Sequence, residues 1–368
     1  MGYSAGRDLL PPVLRDLARH SAEGQTVAVI DARGEAYRNL AAGHRHASLF
    51  SSPPWIEAVG TASGLRIEAS ARLRDGRVEA AVPFCRIADI RGERIACLPF
   101  SDYCDPLVED PADWADLVAP ILAAGVPVRL RCLRNALPTA DERFRVAGHA
   151  LWHSVDLRRG EDEIWAGLDG QARQNVRKAE RHGVMIRRSF SLDDLRLFHG
   201  MHASLRKSKY RMLAQPFAFF EALHAALAPD ERISVLLAEM DGAAVAGILF
   251  LEWGDTLYYK FNASIDTHFR PNDLLLWEGI RFGRGRGLAS LDFGLSDADQ
   301  PGLVRYKAKF ATEQRAISML EWRPEGHADP RGEEVGRTLH RMTRLLTEPA
   351  VPDTVTRAAG DELYRYFC

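Results

Sequence analysis

Residues 72–84 read RLRDGRVEAAVPF, and residues 238–250 read AEMDGAAVAGILF. Each is an alternating apolar run, an Asp-Gly pair, and a second such run. Asp-Gly between two strands is a strong hairpin signal, because both central positions of the tight turn need positive φ. The segments after the two hairpins are also alike. After the first come a strand ending at Leu98, a helical stretch over 113–124 and the apolar run VPVRLRCL from Val126. After the second come the strand TLYYKFNAS (256–264), a helix from about Asp273 to Arg286, and the strand ASLDFG (289–294). Hairpin, strand, helix and strand, met twice, predict two similar modules of mixed α/β architecture.

The join is expected near Ala150, where the turn-rich run 137–148 gives way to the strand LWHSVDL. This divides the chain into an N-terminal module (1–149), a C-terminal module carrying the main site (150–330), and a terminal helix and tail (331–368). Helical patterns fill the start of the second module: EIWAGL, QARQNVRKAERHG, LDDLRLFHGMHASLRKSK and FAFFEALHAAL. Ser191 is placed to cap the third of these, and Gly183 to end the second. Residues 331–346 predict one more amphipathic helix, followed by a loose end holding Pro349 and Pro352.

The chain has 368 residues, 46% hydrophobic and 27% charged, enough for two domains with real cores. No apolar run is long enough to cross a bilayer, and the first twenty residues lack the apolar core of a secretion signal, so a cytoplasmic protein is expected. A net charge of −2 limits nucleic-acid contact to a local basic patch. The five cysteines form no C-x-x-C pair and predict buried, reduced thiols. His44 with His46, and His199 with His202, are the closest histidine pairs. They read as surface residues, and no metal site is expected.

Basic residues are densest over 171–188. On a helix Arg173, Arg177 and Arg181 share one face, with Lys178 beside them, and guanidinium forks match phosphate oxygens. A second cluster holds Lys209 and Tyr210. Strand 256–264 supplies Tyr259 and Asn262 as further binding candidates. The string GLVRYKAKF (302–310) sets Tyr306 and Lys307 just beyond a strand end, where catalytic groups of open α/β sheets gather. The Lys307 ammonium suits a phosphate or the oxyanion of an acyl transfer. In the loop LPFSDYCDPL (98–107), Asp102 or Asp105 could accept a proton from an amine. The junction Arg270-Pro271-Asn272-Asp273 lacks the glycines that cradle a coenzyme A pyrophosphate in N-acetyltransferases, and Pro271 removes one donor.

Together, RQNVRKAERHGV (173–184), YYKFNAS with RPNDLLLWEGI (258–264, 270–280), and LDFG with GLVRYKAKF resemble the FemABX aminoacyltransferases. These are tandem GNAT-like proteins that add amino acids from aminoacyl-tRNA to peptidoglycan precursors. The likeness runs from about Ser51 to Trp322, without the family's long coiled-coil arm. It implies that Lys307 matches the family's functional lysine, that Arg173 and Arg177 match its phosphate-contacting helix, and that Asp102 matches its first-module carboxylate. The expected activity is amide formation between an aminoacyl-tRNA ester and a small-molecule or peptide amine, with no bound cofactor. Acyl-CoA as donor, or phosphate-ligand binding without catalysis, are the alternatives. No Ser-His-Asp or Cys-His arrangement is legible, which fits direct attack by the amine.

Overall fold

The computed structural model describes residues 20–21 and 25–367. The first module contains β1 (His20–Ser21), β2 (Gln25–Asp31), α1 (Glu35–Gly43), α2 (Pro53–Ser63), β3 (Ile67–Arg74), β4 (Arg77–Asp89), β5 (Gly92–Ala96), α3 (Pro111–Leu122), β6 (Val128–Cys132) and α4 (Leu137–Ala140). The second begins with β7 (Arg145–Asp156), α5 (Glu161–Gly167), α6 (Gly170–Arg181), β8 (Met185–Ser189), α7 (Leu192–Leu205) and α8 (Phe217–Leu227). It continues with β9 (Ile233–Met240), β10 (Ala243–Trp253), β11 (Thr256–Ser264), α9 (Pro271–Gly285), β12 (Ser290–Asp297), α10 (Pro301–Ala308) and β13 (Glu313–Trp322). The chain ends in α11 (Pro330–Leu346) and α12 (Asp353–Leu363). The expectation for residues 1–19 lies outside the described residues, as does Cys368.

Both Asp-Gly hairpins form as expected. Asp75 and Gly76 take φ of 50° and 76°, and Asp241 and Gly242 take 50° and 79°. Each hairpin then bulges at the third residue past its glycine. Val78 and Ala80 pair with Leu73 and Arg72, leaving out Glu79, while Ala244 and Ala246 pair with Glu239 and Ala238, leaving out Val245. The modules therefore repeat in backbone detail as well as in order.

Among the described residues the thirteen strands form one mixed sheet, ordered β1-β2-β3-β4-β5-β6-β13-β7-β12-β11-β10-β9-β8. Each module contributes a parallel pair that soon diverges. β5 meets β6 only at Ile95↔Val128 and Ala96↔Arg129, and β11 meets β12 only from Thr256↔Ser290 to Tyr258↔Asp292. β13 lies between β6 and β7, antiparallel to both, so the last strand of the second module stitches the two together. Residue 150 falls inside β7, and the sheet continues across it.

Packing crosses the join as well. The Phe219 ring of α8 lies edge-on to Trp55 of α2, with centroids 5.4 Å apart, so α8 closes the core of the first module. The core of α5, α6 and α9 is separate and includes Leu275, Ile280 and Phe250. Ser191 caps α7 through its hydroxyl, which accepts from Asp194 N, as its position in the sequence suggests.

Two expectations are corrected. The end beyond Pro352 is not loose: it forms α12 and a helical turn over Tyr364–Phe367. Its short helical pattern is weak alone and is stabilised by tertiary contacts such as Lys207 Nζ to Asp353 Oδ1, at 2.6 Å. His46, His199 and His202 are buried rather than on the surface. The His199 and His202 rings pack against Phe220, at 4.9 and 5.9 Å between centroids, which takes them out of water. The four described cysteines are buried free thiols.

Candidate functional site

Where the two parallel pairs diverge, the sheet opens into a cavity of about 570 Å³ between the modules. The loop after β5 lines one side, and the end of β11 lines the other. Two bulges aim side chains into it. On β11, Phe261 and Tyr259 pair with Leu249 and Phe250, and Lys260 is the extra residue. On β12, pairing with β7 skips Phe293 and Gly294 against the single His153. Bulges beside functional sites re-aim side chains in this way.

The Lys260 ammonium lies 2.7 Å from Asp102 Oδ1, joining the modules across the cavity, and only 5% of its side chain is exposed. It lies 4.7, 5.1 and 5.3 Å from the ring centroids of Phe50, Trp55 and Phe261, so aromatic faces replace much of its lost hydration. Asp102 Oδ2 occupies the space a side chain at Gly294 would fill: a Cβ there would lie 2.1 Å from it. Gly294 also has φ of 63°. The glycine of the Asp-Phe-Gly string is therefore what admits Asp102.

Lys307 is 3% exposed and donates to Leu295 O at 2.9 Å. Burial pushes its pKa down to about 8, against the opposing pull of Asp102 and Asp292. Asp292 is itself buried, which raises its pKa. It accepts from the Tyr103 hydroxyl at 2.6 Å and from Gly294 N at 2.6 Å. The first-module loop is fixed by Trp55 Nε1 donating to Ser101 Oγ (2.9 Å) and by Arg131 Nη1 donating to Ser101 O (3.0 Å). Its Phe100 takes the left-handed φ of 62° and stacks on Tyr364, which returns from the C-terminus.

The structure separates the two carboxylates of this loop. Asp105 is fully buried and accepts Leu133, Arg134 and Asn135 N–H groups at 2.9 Å each, with burial raising its pKa to about 6. It organises a turn. Asp102 faces the cavity.

Lys307, Asp102, Tyr210, Tyr259 and Asn262 all line this cavity. The buried Tyr259 hydroxyl has no partner among the described residues, so it can donate a hydrogen bond to a ligand. Arg173, Arg177, Lys178, Lys209 and Tyr306 do not line the cavity. Arg173 Nη1 donates to Ala166 O at 2.7 Å and to Leu168 O, closing the end of α5. Arg177 lies over the Trp165 ring, and Lys178 donates to His268 O at 3.0 Å. Lys209 lies over Tyr210, and the Tyr306 hydroxyl donates to Asn272 O at 3.0 Å. Among the basic-helix candidates, Arg173 and Lys178 thus hold the protein's own carbonyls.

Sequence reasoning missed Lys260, although it stands within the strand that supplied Tyr259 and Asn262. Its one signal is a lysine inside a strand flanked by Tyr258, Tyr259 and Phe261. The α9 junction also gains detail: Arg270 is left-handed at φ 64°, and the buried Asp273 carboxylate in the first turn accepts from Asn175 Nδ2 at 3.1 Å. A protein carboxylate thus sits at the helix N-terminus, where an anion would otherwise bind. Among the described residues, no three or more His, Cys, Asp or Glu are grouped to hold a metal, and no helix is long and apolar enough to cross a membrane.

Residues 169–308 match the family model of the acetyltransferase (GNAT) domain. Among solved structures, FemX is similar with a TM-score of 0.58 at 14% identity, over 82% of this chain and 97% of that one. L-PGS from Bacillus licheniformis gives 0.51 at 16%, over 80% and 92%. A conserved protein of unknown function from Bacteroides thetaiotaomicron VPI-5482 gives 0.53 at 11%, over 80% and 98%. No curated protein matches the sequence. The likenesses establish the fold as two GNAT-like modules in tandem.

Proposed function

We propose that this chain, a GNAT-fold acyltransferase built on the FemX-like architecture, moves an aminoacyl group from an aminoacyl-tRNA ester to an amine acceptor. The observation that carries the reading is the cavity between the modules, where buried Lys307 and the Lys260-held Asp102 meet. The acceptor nitrogen attacks the ester carbonyl, a C–N bond forms, and the C–O bond to the ribose breaks. The Lys307 ammonium stabilises the negative charge that develops on the carbonyl oxygen. Asp102 takes the proton lost by the nitrogen, which then goes to the departing alcohol oxygen. An ester is already activated, so positioning and charge stabilisation suffice without a covalent nucleophile. The acceptor is a small molecule or peptide with a free amine, the chemistry found in peptidoglycan precursors and natural-product intermediates.

Acyl-CoA is the second donor reading, and the match to an acetyltransferase model favours it. Pro271 and the Asp273 carboxylate at the start of α9 stand against it, since a pyrophosphate would meet a missing donor and a like charge. The test is to incubate purified protein with charged tRNAs, and separately with acetyl-CoA, in the presence of a cell extract. New amides are then sought by mass spectrometry. Amides with charged tRNA alone support the proposal. Amides with acetyl-CoA alone overturn it.

A further inference from the structure

The three strands at the centre of the sheet carry arginines that the acyl-transfer chemistry does not use. Glu321 of β13 is opposite Arg129 of β6 and Arg145 of β7 in the strand register. Its carboxylate is 4% exposed and receives three guanidiniums: Arg129 Nε at 3.2 Å, Arg323 Nη2 at 3.1 Å, and Arg145 Nη2. Two residues from Arg129 on β6, Arg131 donates to Ser101 O and lines the cavity, as does Asp297. Around Glu321 three guanidiniums thus meet one carboxylate, a surplus of two positive charges.

A buried glutamate needs one good partner, and gathering more like-charged groups around it opposes folding. The arrangement makes physical sense if the arginines serve something outside the protein. Their side chains remain 54%, 62% and 38% exposed at Arg129, Arg145 and Arg323. Each has five N–H donors and gives only one nitrogen to Glu321. The carboxylate therefore fixes the forks while most of their donors stay available, which lowers the ordering cost of binding an anion.

We propose that Arg129, Arg145 and Arg323, anchored by Glu321, form with the neighbouring Arg131 an anion site that takes a phosphate or diphosphate group. Arg129 and Arg131 also line the cavity, so the site holds the charged part of a ligand whose remainder reaches inside. Three of the guanidiniums converge on a single carboxylate, so the cluster is compact. That matches one diphosphate rather than the extended phosphate track of an RNA strand. The site is defined by binding alone, so it stands or falls separately from the acyl-transfer reading.

The probe is inorganic pyrophosphate, titrated calorimetrically into the full chain at low ionic strength, with an RNA hairpin titrated in parallel. Saturable binding is expected, weakened at least tenfold by Arg129→Gln with Arg145→Gln. Glu321→Gln is the sharper variant. It makes the patch more positive yet releases the forks, so a built site binds pyrophosphate more weakly while a diffuse field binds it more tightly. Circular dichroism checks folding, and the exposed double variant keeps the test decisive if Glu321→Gln does not fold. Absent pyrophosphate binding, unchanged affinity in the double variant, or tighter binding by a folded Glu321→Gln overturns the proposal. So does loss of hairpin binding while pyrophosphate binding persists, which would make this a nucleic-acid face.

Discussion

Lys260 Nζ and Asp102 Oδ1, 158 residues apart in sequence, lie 2.7 Å apart between the two modules. The pair does two things at once. It neutralises an ammonium removed from water, and it sets the position of the carboxylate facing the cavity. Loss of either partner leaves the other with an uncompensated charge, and the two losses are unequal because Lys260 is the more deeply buried.

Asp102→Asn should therefore destabilise the protein by about 3 kcal/mol. Lys260→Met should cost less, because Asp102 retains contact with water. The double variant should recover part of the loss. Urea denaturation of the four proteins measures the coupling, and strictly additive costs would mean that the pair contributes no interaction of its own.

Lys307→Met should lower kcat by about 100-fold to 1000-fold, the usual cost of one lost oxyanion donor, with the fold retained. Lys309→Met is the control, since Lys309 does not line the cavity, and it should be mild. Lys307→Arg should rescue only partly, because a planar fork differs from a point charge. Amide formation at saturating donor, with circular dichroism, makes the comparison. Equal activity in the two methionine variants would remove Lys307 from the site.

The depressed pKa of Lys307 gives the pH dependence a sign. The group works as an ammonium, so activity should be present below about pH 8 and fall as pH rises through that value. In Lys307→Arg the charge persists to far higher pH, and the residual activity should lose this fall. Rate profiles between pH 6 and 10 (roughly the range over which lysine shifts are read) make the measurement. A profile that keeps the same fall in the arginine variant assigns it to another group.

Gly294→Ala should be costly for two reasons that share one position. The φ of 63° disfavours a Cβ, which alone costs more than about 1 kcal/mol. The new methyl would also displace Asp102 Oδ2. Activity should therefore fall further than stability accounts for. A variant that is merely less stable, with full kcat at low temperature, would show that the Asp102 position tolerates movement.

Arg173 and Arg177 should behave differently despite sharing a helix face. Arg173→Gln removes the donor that closes α5 and should lower Tm by several degrees, roughly the effect of 1 kcal/mol in a domain of this size. Arg177→Gln, on an exposed residue resting over Trp165, should leave Tm nearly unchanged. Thermal unfolding followed by circular dichroism compares them, and a larger loss at Arg177 would reverse the assignment.

The sequence alone determined the parts of this protein that depend on near neighbours. Asp75-Gly76 and Asp241-Gly242 specify their turns because two adjacent residues need positive φ, and the flanking alternation supplies the strands. β11 and α8 lie where their periodicity puts them, at Thr256–Ser264 and Phe217–Leu227. The repeat of these local patterns was enough for two modules, and Lys307 stood out as a candidate because its string follows the strand that became β12. Tertiary structure decided everything that depends on distant pairing. β13 inserts beside β6, α8 joins the first core, and the C-terminal turn brings Tyr364 onto Phe100. Lys260 and Asp102 meet only because both parallel pairs diverge at the same place, while the basic helix turns Arg173 and Lys178 onto its own neighbours' carbonyls. Spacing along a chain reports which residues share a face. Which face meets which is set by long-range burial, and no local pattern encodes it.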